Sequence, residues 1–148
     1  MPRPAFRPRA EARPTTTMTE FIATLQEAGV ERVIDVRALP LSRRPGFSKS
    51  PLRAALGEAG IDYVHLKALG TPSEGRSAAR AGRQQDLERI YAGQLDLPEA
   101  IVQAEQMLDL AADKPSALLC YERDPAVCHR SLLLAAVARD ADVTHLFP

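Results

Sequence analysis

Ala117-Leu118-Leu119-Cys120-Tyr121-Glu122-Arg123-Asp124-Pro125-Ala126-Val127-Cys128-His129-Arg130 is the stretch that decides how this chain folds. It opens apolar, turns polar, and leads into a second apolar run from Leu132 to Ala138. That order reads as strand, polar loop, helix, with Asp124-Pro125 suited to an N-cap and a first helical residue. Both cysteines of the chain lie here, beside two acids, two arginines and an imidazole. Groups that carry charge or move protons are therefore gathered near one strand end.

Working outward, Val33-Ile34-Asp35-Val36 is a second short buried strand and Ile61 to Leu66 a third. Helices are predicted over 20–28, with Thr19 as N-cap, and over 51–59, with Ser50 as N-cap. Further helices are predicted over 84–92, 98–112 and 132–139. In the helix over 98–112, Ile101, Val102, Met107, Leu108 and Ala111 are expected to supply the core face. Residues 70–82 read as a loop-rich connection, and Val143 to Leu146 as a last short strand. Strands alternating with helices predict a single α/β domain, a three-layer open and mostly parallel sheet with helices on both faces. The run 1–17 is rich in Pro, Arg and Thr and lacks apolar periodicity. It is expected to be an atypical or disordered N-terminal tail outside a domain spanning 18–148.

The chain has 148 residues, enough for one domain with a buried core. Lys+Arg and Asp+Glu both number 19, so no overall basic field draws it to nucleic acid or to an anionic membrane. No apolar stretch approaches bilayer length, and the N-terminus lacks the apolar segment of a Sec signal. Two cysteines give no disulfide framework, and a reducing cytoplasmic setting is the expectation. Aromatic residues are few and Trp is absent, which argues against a base-stacking platform.

Ligands of open parallel sheets sit at the C-terminal ends of the strands. Two such ends carry chemistry. The first offers Asp35, Arg37 and Ser42; the second offers Cys120, Glu122, Cys128, His129 and Arg130. If the two strands are parallel neighbours, both clusters face one crevice. Asp35 sits in an apolar strand and needs a donor, either as a structural tie or as part of a site. Cys128, near a helix start and close to His129 and Arg130, is either an activated thiolate or a core residue. Cys120 reads as a small buried hydrophobe or as part of the ligand wall. Cys120, Glu122, Cys128 and His129 give a weak metal set, because C-x₇-C-H lacks the close pairing of zinc sites. No metal or cofactor is therefore assigned. Arg76, Arg80 and Arg83 form either a solvated helix face or a phosphate-facing patch.

Taken together, these motifs resemble the DUF488 family, small bacterial and archaeal proteins of unknown function. The resemblance rests on Glu20-Phe21-Ile22, Gly29-Val30 and Val33-Ile34-Asp35-Val36-Arg37 with Pro40 and Ser42. It continues through Gly60-Ile61-Asp62-Tyr63, Leu69-Gly70, Leu118-Leu119-Cys120-Tyr121-Glu122 with Asp124-Pro125, and Cys128-His129-Arg130. It implies an α/β fold and a pocket built from the D-V-R and C-H-R segments, and for some relatives a loose link to DNA repair. Such proteins usually open with a strand ending in a T-I-G-H/Y-like turn. Arg13-Pro14-Thr15-Thr16-Thr17 stands in that place, so a rearranged start, a missing strand and an incomplete crevice are expected.

The leading expectation is a pocket for an anionic ligand, a nucleotide, phosphate compound or nucleic-acid component, in a protein with no membrane partner. Arg37, Ser42, Cys120 and Arg130 would bind it, and Asp35, Glu122, Cys128 and His129 would act on it. The alternatives are a non-catalytic interaction module in which both motifs are structural, and a metal-bound module.

Overall fold

The computed structural model describes residues 5–7, 17–40, 46–119, 129–137 and 142–143, and side chains within 17–40, 46–119 and 132–136. The elements follow in the order β1 (Ala5–Arg7), α1 (Met18–Glu27), β2 (Arg32–Asp35), α2 (Lys49–Glu58) and β3 (Asp62–His65). A 3₁₀ turn (Lys67–Leu69) leads to α3 (Ser73–Arg80), α4 (Gln84–Leu95), α5 (Pro98–Asp113), β4 (Ser116–Leu119), α6 (His129–Val137) and β5 (Asp142–Val143). Among the described residues, the strands form one sheet in the order β3-β2-β4-β1-β5, and each pairing is parallel.

Side chains of successive strand residues point to opposite faces, and the core divides accordingly. Val33, Ala117 and Leu119 pack with Phe21 and Leu25 of α1 and Leu52 and Leu56 of α2. Ile34 and Leu118 pack on the other face with Tyr91 of α4, Met107 of α5 and Leu133 of α6. The α/β sheet with helices on both faces is therefore present. Each fully buried Leu or Phe in these layers contributes about 1.5–3 kcal/mol. The chain turns from helix to strand at Gly29 and Gly60, both with positive φ, where a side chain would strain the backbone.

Several expectations change. Ala5–Arg7 is not outside the sheet: Phe6 lies opposite Ser116 of β4 and Val143 of β5, so this short segment occupies an inner strand position. The strand expected to be missing at the start is thus supplied from within 1–17. Its order comes from pairing with neighbours distant in sequence, which local composition does not reveal. The first helix begins two residues earlier than expected, with Thr17 as N-cap; its hydroxyl accepts from the Glu20 N–H at 3.2 Å. The second helix starts at Lys49, which puts Pro51 within the first turn, where its missing N–H costs nothing.

Residues 73–80 form α3 where a loop was expected. Gly75 lets this helix pack closely on the residues before it: a Cβ there would come within 2.5 Å of the Thr71 methyl. In α5 the buried stripe is Ala100, Ala104, Met107 and Ala111, while Ile101 and Val102 are exposed. Small alanines let this helix sit close on the sheet and rotate the larger β-branched residues outward.

Candidate functional site

The register of β2 and β4 brings the C-terminal ends of these two strands together. Asp35 at the end of β2 lies opposite Leu119 at the end of β4, and the Val36 N–H donates to the Leu119 carbonyl at 3.0 Å. On the other side, Asp35 lies opposite His65 of β3. Asp35 and Leu119 thus stand side by side at the C-terminal edge of the sheet.

Asp35 is fully buried and Arg37 is 3% exposed. The Asp35 carboxylate is held by four donors. Oδ1 accepts from the Arg37 backbone N–H at 3.1 Å and from Arg37 Nε at 2.8 Å. Oδ2 accepts from Arg37 Nη2 at 2.8 Å and from the Tyr63 hydroxyl at 2.5 Å. Two bonds on each oxygen fill the roughly four lone-pair positions of a carboxylate. The guanidinium engages the carboxylate side-on through two parallel bonds, the strong geometry for such a pair. Arg37 Nη1 donates to the Phe47 carbonyl at 2.9 Å, tying the segment after β2 to the start of α2. His65 Nε2 lies 2.7 Å from the Arg37 carbonyl. A carbonyl can only accept, so Nε2 carries the proton.

Tyr63 and His65 are the members of this cluster that motif reading did not assign. They lie two apart on β3 and so share one face. Only the β2–β3 register shows that this face meets Asp35. Burial, and then the hydrogen bond to Asp35, push the Tyr63 hydroxyl well above its ordinary pKa of 10.0. It therefore serves as a lasting donor to the carboxylate.

The sequence profile of the family described as "Domain of unknown function DUF488" matches residues 17–137, most of the chain. The chain belongs to the DUF488 family. Neither a curated protein nor a solved structure matches it.

In this DUF488 domain the wall beside Arg37 depends on Gly70. A Cβ at that position would stand 2.3 Å from the Ala38 backbone nitrogen, so only glycine lets the turn after β3 touch the segment after β2. Beyond that contact, Ala38, Lys67, Ala68, Gly70, Pro72 and residues of α4 and α5 line a crevice of about 320 Å³.

Of the residues assigned from the sequence, Asp35 and Arg37 are brought together. Ser42, Cys120, Glu122 and Cys128 lie outside the described residues. His129 and Arg130 form the first positions of α6, and only their backbone is described. The arginines of the 76–83 region make local bonds. Arg76 Nη1 donates to the Thr71 carbonyl at 2.9 Å, Arg80 Nη2 to the Ser77 hydroxyl at 3.2 Å, and Arg83 pairs with Asp86 at 3.3 Å. Among the described residues, no three His, Cys, Asp or Glu side chains gather as a metal site, and no helix is long and apolar enough to cross a membrane.

Proposed function

We propose that this DUF488 protein binds an anionic ligand of the nucleotide or phosphate class at the shared C-terminal edge of β2 and β4. The observation that carries this reading is the Asp35–Leu119 register, which ends β2 and β4 side by side; in the sequence, the D-V-R motif spans the first of these ends and the run Cys120–Arg130 follows the second. Ligands of open parallel sheets collect at such an edge.

The roles divide by what each group has left to offer. Asp35, with four donors on its two oxygens, is a positioning residue rather than an acid or base. Arg37, almost wholly buried against Asp35 and Phe47, shapes the wall. The anion falls to Arg130, and we assign Ser42 and Cys120 from the sequence as further ligand-binding residues. Chemistry, where there is any, falls to Glu122 and to the Cys128–His129 pair. Thermal shifts of the full chain against nucleotides and inorganic phosphate test this. A ligand that raises the melting temperature of the wild type and not of Arg130→Ala supports it. The absence of a shift with every ligand overturns it.

The saturated Asp35 carboxylate favours a second reading, in which the D-V-R segment is purely structural and the domain is a non-catalytic module. Asp35→Asn then unfolds the chain, because the buried guanidinium loses its counter-charge. A folded Asp35→Asn protein that has lost only ligand binding would count against this second reading.

A further inference from the structure

We propose that the crevice between the 3₁₀ turn, α4 and α5 is a binding site for a neutral planar group that carries a hydrogen-bond donor beside an acceptor. That chemistry is shared by a nucleobase edge and a carboxamide. The site is separate from the anion pocket proposed above, and neither depends on the other.

Two glutamines from different helices meet at one residue of the turn. Gln103 of α5 accepts from the Ala68 N–H through Oε1 at 2.7 Å, and Gln94 of α4 donates from Nε2 to the Ala68 carbonyl at 2.9 Å. The backbone fixes both amides, because an N–H needs an acceptor and a carbonyl needs a donor. Tyr91 adds a third tie, its hydroxyl donating to the Leu69 carbonyl at 2.6 Å. The turn is therefore held rigidly, and the two amides with it.

Both glutamines line the crevice, and what they have left is complementary. Gln103 retains its Nε2 donors, and Gln94 retains its Oε1 acceptor. Lys67 and Glu99, both exposed, stand at the same crevice with opposite charges. An ammonium and a carboxylate together favour a neutral polar guest over an anion. The volume of about 320 Å³ lies at the small end of ligand pockets, suited to one ring or one amide rather than a large molecule.

The test is an NMR titration of the full ¹⁵N-labelled chain with adenine, cytosine, acetamide and inorganic phosphate as separate probes. The expected result is that a base or the amide moves the Gln103 and Gln94 side-chain amide signals and the Ala68 backbone signal. Movement with the bases alone assigns a nucleobase; movement with acetamide alone assigns a carboxamide. Gln103→Glu keeps an oxygen for the Ala68 N–H and removes the free donor. It is expected to weaken binding about tenfold, the loss of one hydrogen bond and the acceptor it leaves unpaired. If that variant does not fold, Gln94→Lys keeps a donor for the Ala68 carbonyl, removes the free acceptor and is expected to lose as much. No movement with any neutral probe, movement with phosphate alone, or unchanged binding in the folded variant overturns the proposal.

Discussion

The four-residue strand β2 begins with Arg32 and ends with Asp35, and each end anchors a charge cluster of opposite character. At the start, Arg32 reaches Asp62 at 3.5 Å and Asp113 at 3.3 Å, while Lys114 pairs with Asp62 at 2.7 Å. The two carboxylates there are half exposed or more. Arg32 Nη1 donates to the Leu110 carbonyl at 2.7 Å near the end of α5, where a cation suits the helix terminus. Its buried Nε lacks a hydrogen-bond partner among the described residues. At the other end, both members of the Asp35–Arg37 pair are buried, and Asp35 is bonded on both oxygens. The first cluster ties elements together at the solvent boundary; the second builds a rigid wall beside the candidate site. Charge at a strand end is thus not informative until burial and bond count are known.

The largest effect separating the two ends is expected from Asp35→Asn. Removing one partner of a buried pair costs about 3–5 kcal/mol, because the other charge stays buried and unpaired. A urea midpoint close to wild type would show that the inner cluster is no frame at all.

Tyr63→Phe comes next, with about 1.5–3 kcal/mol lost with one hydrogen bond to a charged acceptor. It also carries a pH signature. The folded chain holds the Tyr63 proton more tightly than the unfolded chain, so its contribution is full below the unfolded value of 10.0 and is lost as pH rises above it. Chemical denaturation across that alkaline range should show a falling slope in the wild type that is reduced in the phenylalanine variant. Parallel slopes would remove Tyr63 from the cluster.

Gly70→Ala drives a methyl into the Ala38 backbone and is expected to cost about 1–3 kcal/mol by overpacking. Calorimetry reads this directly, and an unchanged melting temperature would mean that the wall can move aside.

The smallest effect belongs to the outer cluster. The hydrogen bond from Lys114 lowers the Asp62 pKa, so the pair's contribution is present above the ordinary carboxylate value and is lost as pH falls through the lower folded value. Both groups are exposed and screened, so Lys114→Ala should shift the melting temperature only slightly, and less in high salt. A loss comparable to that of Asp35→Asn would erase the contrast between the two ends.

The sequence made the central layer legible because its signals are local. The apolar runs around Val33 and Leu118 read as buried strands, and Gly29 and Gly60 marked the helix ends. The adjacency of β2 and β4 was foreseen only as a condition, and pairing supplied it. What stayed hidden depends on distant partners. Ala5–Arg7 is a strand through its neighbours, and the face of α5 is chosen by how closely Ala100 and Ala104 let it approach the core. Within the candidate site, Asp35 and Arg37 were legible from an acid buried in an apolar run. Tyr63 and His65 were not, because their relevance lies in register.

The most direct test of the proposed site is the pH dependence of Cys128 and Cys120 alkylation in the folded protein, resolved by peptide mass spectrometry with and without phosphate or nucleotide. The account predicts that Cys128 reacts well below the free-thiol pKa of about 8.5 and that the ligand slows it. Cysteines that react only after unfolding, with no protection by any anion, would contradict a ligand site at the edge of β2 and β4.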